Sequence, residues 1–229
     1  LHINLLKKNK TEFSSIFLNA GAHIQHHYFF NSKYLENKDI SNPEWYIKKN
    51  NDPILDMIIF YDKILFEYKK LNDYDIILAT GLSQKPFDRT KYYYRLKNHN
   101  KFLEDLNIEF VKVEPRMTRD FLITFKNDVK KNEAIKRLDQ LNKINKKTIF
   151  SFEDRIESIF VTLSIQHEIT KNEKILINDH KNILIKDHVV FVALKNGMHD
   201  QKGYFYSTLN AKIDNITQIH QQIINFFTK

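Results

Sequence analysis

Ser15-Ile16-Phe17-Leu18 runs toward Gly21, Asp75-Ile76-Ile77-Leu78-Ala79 toward Gly81, and Val189-Val190-Phe191-Val192-Ala193-Leu194 toward Gly197. With only 4 glycines in 229 residues, three that close apolar runs carry information, because glycine marks tight turns and close backbone approaches. Continuous β-branched and aromatic runs bounded by glycine are the pattern of strands buried on both faces, as in a parallel sheet. Helical segments supply the crossovers. One runs from Pro53 to Leu71, with Pro at its start and Ile54, Met57, Ile58, Tyr61, Leu65 and Tyr68 at helical spacing. Another covers about Lys91 to Leu106, beginning with Tyr92-Tyr93-Tyr94-Arg95, and a last one about Asn215 to Phe227. The expected fold is α/β: a three-layer, largely parallel sheet with helices on both faces.

The middle of the chain has a different rhythm. Glu109–Glu114, Asp120–Phe125, Thr148–Phe152 and Ser158–Ile165 read as strands, with a helix near Val129–Leu141 and a hairpin over Lys171–Lys186. This predicts a small α+β subdomain over 107–165, inserted into a core made of 1–106 and 166–229. Phe110, Phe121, Ile123, Ile149, Phe160 and Val161 are its candidate core.

Composition bounds the function classes. At 42% hydrophobic and 28% charged, with 18 Phe and 11 Tyr, the chain has the material for a core and does not read as disordered. No apolar run reaches the ~18–20 residues of a membrane helix. Zero Cys excludes disulfides, thiolate catalysis and Cys-type zinc sites. Leu1-His2-Ile3-Asn4 does not read as a signal peptide, and a start on Leu suggests a truncated piece. The net charge of +8 comes mostly from scattered Lys, with Arg only at 89, 95, 116, 119, 137 and 155. A phosphate-tracking surface would cluster these residues and interleave aromatics, so nucleic acid is not the expected partner.

If the sheet is parallel, ligands bind beyond its strand ends. Three polar segments would converge there: Asn19 to Tyr28, Thr80-Gly81-Leu82-Ser83-Gln84, and Asn196-Gly197-Met198-His199-Asp200-Gln201. His23 and His27 are four apart, which places them on one helical face, as do Asn19 and His23. Such a pair suits a metal or a phosphate; the alternative is that His26 and His27 are partly buried rings whose nitrogens are satisfied by backbone. Arg116 and Arg119 could grip a phosphate, sulfate or carboxylate in bidentate fashion, or pair with Asp120, Glu114 or Glu153. Phosphate-loop, paired-glycine dinucleotide, Gly-x-Ser-x-Gly and His-Glu-x-x-His motifs are all absent.

Asn19-x-x-x-His23, the Thr80–Gln84 loop and Asn196-Gly197-Met198-His199, in this order and with an α+β insertion before the last, resemble the C-terminal half of the alkaline phosphatase superfamily, in its type I phosphodiesterase and nucleotide pyrophosphatase branch. The resemblance covers most of the chain. It implies a metal site, zinc or another divalent ion, formed by Asn19, His23, His27 and His199; Arg116, Arg119 and Gln84 are the candidate substrate-binding residues. The family's nucleophile would lie upstream of Leu1. Asn19 stands where the family has Asp, and the Thr80–Gln84 loop carries neither the Asp nor the His of the family's pair. Two readings follow. One is a divergent hydrolase or transferase of phosphoesters or related esters. The other is a non-catalytic member that binds an anion, a glycan or a protein partner.

Overall fold

The computed structural model describes residues 1–35, 39–209 and 211–228. It opens with helices α1 (His2–Asn9), α2 (Ala20–Tyr28) and α3 (Pro53–Lys69). α3 starts where the sequence signals it. Asp52 Oδ1 accepts the Leu55 N–H at 3.0 Å, and Pro53 fills a first-turn position that needs no N–H. The second Asp52 oxygen accepts the Lys33 N–H at 2.9 Å, so this buried carboxylate also anchors the preceding loop. Then follow β1 (Ile77–Thr80), β2 (Ser83–Leu96), α4 (His99–Asp105), β3 (Lys112–Pro115), β4 (Asp120–Thr124), α5 (Asp128–Ile144), β5 (Phe150–Asp154) and β6 (Ser158–Leu163). The remainder is β7 (Lys174–Leu176), β8 (Asn182–Leu184), α6 (Ile185–His188), β9 (Val189–Asp200), β10 (Tyr204–Ser207) and α7 (Gln218–Phe227).

The expected three-layer parallel sheet is not formed. β1 pairs antiparallel with β10, β7 pairs antiparallel with β8, β2 pairs with β9, and β3-β4-β6-β5 make a four-stranded antiparallel sheet. Each apolar run departs from the parallel pattern for its own reason. Ser15–Leu18 belongs to no described strand, and Phe17 is 86% exposed. Its glycine, Gly21, lies inside α2, where its N–H donates to Tyr61 Oη at 2.7 Å. The second run makes β1, whose Leu78 is exposed, and the third makes the first half of β9, whose Val190 and Val192 face outward. Apolar composition therefore did not mean burial on two faces. The helix expected over Lys91–Leu106 is also corrected. Its first half is the end of β2, because Tyr92 and Tyr94 alternate onto one face and meet the Phe191 ring at 6.4 and 6.1 Å. Only after Asn98, whose side chain accepts the Lys101 N–H at 3.0 Å, does α4 begin.

Two compact units divide the chain within β2 and β9: Leu1–Thr90 with Lys195–Lys229, and Lys91–Leu194. The second unit contains the ββαββ elements of the 107–165 stretch together with α4, α6 and the β7-β8 hairpin. Its sheet buries alternate residues. Phe121 lies opposite Val161 and Ile123 opposite Ile159, and all four are fully buried. α5 covers this face with Ala134, Leu138 and Leu141, spaced four and three apart. Asn142 joins helix to sheet, its Oδ1 accepting the Ile149 and Phe150 N–H groups at 2.8 and 3.0 Å while its Nδ2 donates to the Phe150 carbonyl at 2.8 Å. Phe160 points to the other face, under the Arg155 guanidinium at 4.5 Å. The continuous buried apolar cluster runs from Tyr94 to Val189, entirely within this unit.

The first unit is differently built. Among its described residues the buried apolar side chains are Leu6, Phe30, Ile54 and Met57. Large apolar groups on the same unit are exposed, including Ile58, Ile59, Phe60 and Phe66 of α3 and Ile224, Phe226 and Phe227 of α7. No helix among the described residues is long and apolar enough to cross a membrane.

Candidate anion-binding histidine cluster

α2 begins as the Asn19 carbonyl accepts the His23 N–H at 3.2 Å, and its periodicity then decides which rings meet. His23 and His27, one turn apart, have ring centroids 4.6 Å apart. His23 is exposed and His27 is buried. His26 leaves the helix toward β9, where its Nδ1 lies 2.9 Å from the Gly197 carbonyl. A carbonyl only accepts, so Nδ1 carries the proton and donates. In the neutral ring Nε2 is then the acceptor, and in the charged ring it becomes a second donor. The His199 ring stands edge-on to His26 at 4.9 Å.

Gly197 makes this approach possible. A Cβ there would lie 2.7 Å from the Gln25 carbonyl oxygen and 2.8 Å from Gln84 Oε1. Gln84 crosses from β2 and donates from Nε2 to the Ala22 carbonyl at 2.9 Å, while its Oε1 is buried without a hydrogen-bond partner. The three polar segments of the sequence reading thus meet inside the first unit, although no parallel sheet brings them there. Next to Gly197, the fully buried Asn196 exchanges amide hydrogen bonds with Asn42: Asn42 Nδ2 donates to Asn196 Oδ1 at 2.7 Å, and Asn196 Nδ2 donates to Asn42 Oδ1 at 2.9 Å. Asn42 Nδ2 also donates to Asn31 Oδ1 at 2.8 Å, and Asn196 Oδ1 accepts the Phe30 N–H at 3.3 Å. Truncating either Asn would strand its partner's amide in the interior, at a cost of about 1–3 kcal/mol. Asn42 was missed from sequence, since nothing local marks an Asn whose partner lies 154 residues away.

The electrostatics around His26 are one-sided. Burial holds its pKa below the ordinary imidazole value; the hydrogen bond to Gly197 opposes this, and the charges of Lys195, His199 and His23 push it lower again. Burial likewise depresses Lys195. Asp200, beside His199 in sequence, lies 3.7 Å from Lys85.

Asn19 flanks α2 without a side-chain cap, and His199 faces His26. Among the described residues no three His, Asp or Glu side chains are arranged to hold a metal ion. The donor set Asn19, His23, His27 and His199 therefore does not fit zinc, which needs anionic or imidazole ligands converging on one point. Arg116 and Arg119 belong to the other unit. Arg116 pairs with Glu114 at 3.7 Å, and the Arg119 guanidinium lies over the Tyr93 ring at 4.4 Å. A recess of about 260 Å³ in that unit is lined by Lys97, Asn98, Lys101, Asp105, Asp187 and His188. Its cations are engaged within the fold, Lys97 with the Lys186 carbonyl at 2.9 Å and Lys101 with Asp105 at 3.3 Å.

Fold and cluster define a mixed α/β protein of two units with an imidazole-lined surface on one of them. No family model, curated protein or solved structure matches the chain.

Proposed function

We propose that the protein binds a small anion of the phosphate or phosphate-ester class at the cluster around His26, as a binding module without hydrolytic activity. The observation that carries this reading is the sign of the charges acting on His26. Lys195, His199 and His23 are all cationic or become so on protonation. Close imidazoles repel once protonated, and a bound oxyanion turns that repulsion into attraction while accepting from the exposed ring N–H groups. The hydrolase reading lacks support of this kind. Asn19 and the Thr80–Gln84 loop offer no carboxylate where the resembled family holds its metals.

Isothermal calorimetry with inorganic phosphate tests the proposal, comparing the unmodified chain with a His23→Ala, His199→Ala double variant. Both side chains are exposed, so the fold should persist. Losing two charge-assisted hydrogen bonds should weaken binding by about tenfold or more. Equal affinity in the two proteins would overturn the site. Metal-dependent turnover of p-nitrophenyl phosphate, lost in the double variant, would overturn the non-catalytic assignment.

A further inference from the structure

His2 joins two hydroxyl groups that come from different elements of the first unit. Its Nδ1 lies 2.6 Å from Tyr68 Oη, and its Nε2 lies 2.7 Å from Ser14 Oγ. His2 opens α1, Tyr68 stands in the last turn of α3, and Ser14 lies in the segment between α1 and α2. The His2 and Tyr68 rings also touch, with centroids 5.8 Å apart and planes tilted by 51°.

A hydroxyl bonded to an imidazole whose other nitrogen is held by a third group is the arrangement that activates a nucleophile. Burial raises the Tyr68 pKa, so the phenol keeps its proton at ordinary pH. Its oxygen can accept from Nδ1–H, which leaves Nε2 as the acceptor for the Ser14 hydroxyl. Ser14 is exposed, and water would satisfy its hydroxyl about as well, so stability gives little reason for the bond. We propose that Ser14 is a nucleophile, with His2 as its general base, that takes an acyl group from an uncharged carboxylic ester. His2 Nε2 removes the hydroxyl proton as Ser14 Oγ attacks the carbonyl carbon. The Oγ–C bond forms, the bond from that carbon to the leaving oxygen breaks, and His2 returns the proton to the leaving alcohol. The products are acyl-Ser14 and the alcohol. Ser15 is exposed and its N–H has no acceptor among the described residues, so it can donate to the oxyanion that forms on the way. Tyr68 acts through His2 and is a positioning residue. The ester is uncharged because no Asp, Glu, Lys or Arg occurs between Glu12 and Lys33, and Phe13, Ile16 and Phe17 are exposed beside Ser14. None of these residues belongs to the His26 cluster, so acylation of Ser14 is independent of phosphate binding there.

The probe is p-nitrophenyl acetate, incubated with the full chain, quenched in acid and followed by peptide mass spectrometry. Acetyl is expected on Ser14 and not on Ser15, an exposed neighbour with no imidazole partner among the described residues. His2→Gln should slow Ser14 acetylation by at least about a hundredfold. Tyr68→Phe keeps the ring and should slow it by about tenfold, through loss of one neutral hydrogen bond. Ring-nitrogen chemical shifts of His2 read the positioning role itself. The proton should sit on Nδ1 in the unmodified chain, and Tyr68→Phe should abolish that preference. His2 and Tyr68 are both partly exposed, so the fold should persist in the variants, which circular dichroism checks. Acetylation confined to lysines, equal labelling of Ser14 and Ser15, a His2→Gln protein as reactive as the unmodified chain, or a His2 proton held on Nε2 would each overturn the proposal.

Discussion

Phe121→Ala is expected to remove about 3–5 kcal/mol from the stability of the Lys91–Leu194 unit, the largest effect of any single substitution considered. Phe121 is fully buried in β4, opposite Val161, on the face that α5 covers with Leu138 and Leu141. Its removal leaves a cavity walled by two elements that Asn142 already holds in register. Phe160→Ala is the control. That ring lies on the other face of the same sheet, and the change there should cost much less, on the order of 1 kcal/mol through loss of the Arg155 contact. Hydrogen exchange of amides in β4, β6 and α5 separates the two cases. Equal losses of protection would mean that the sheet is not one-sided as described.

Gly197→Ala should be the most damaging change at the histidine cluster. The new methyl would sit 2.7 Å from the Gln25 carbonyl, which is backbone and cannot swing aside. α2 must move away from β9, and the 2.9 Å bond from His26 to the Gly197 carbonyl goes with it. An expected cost of about 1–3 kcal/mol should accompany loss of phosphate binding. Gly81→Ala offers the contrast, since the nearest atom to its added methyl is Ile216 Cγ1 at 4.0 Å, and no clash arises. Thermal denaturation and phosphate calorimetry on both variants give the comparison. A Gly197→Ala protein that binds phosphate normally would show that the close approach does not organise the site.

The parts of this protein that were legible in its sequence are those governed by short-range periodicity. Helical spacing placed His23 beside His27 and marked α3, and the segments of α5, β4 and β6 were also read as helix and strands. Pro53 announced its helix by local chemistry, and the structure adds the Asp52 cap just before it. What misled was burial. Ser15–Leu18 and Val189–Leu194 have the composition of strands covered on both faces, but cover is supplied by other parts of a fold and leaves no mark in the run itself. Phe17 is exposed all the same. Tyr92-Tyr93-Tyr94 was read as a helix start because its partner Phe191 lies far along the chain. The Asn42–Asn196 pair was invisible for the same reason.

Protonation of His26 reports directly on the charge at the cluster. The free protein holds the imidazole below its ordinary value, first through burial. The folded state therefore binds fewer protons than the unfolded one as pH falls through the ordinary imidazole range, near ~6.5. Stability of the first unit is present above that range and is lost on acidification through it. A bound phosphate reverses the field at the ring, so it should raise the His26 pKa and restore part of the lost stability. The measurement is a side-chain NMR titration of His26 from about pH 8 to about pH 5, with and without inorganic phosphate. Phosphate is expected to displace the His26 curve upward. Superimposable His26 curves with and without phosphate would contradict it.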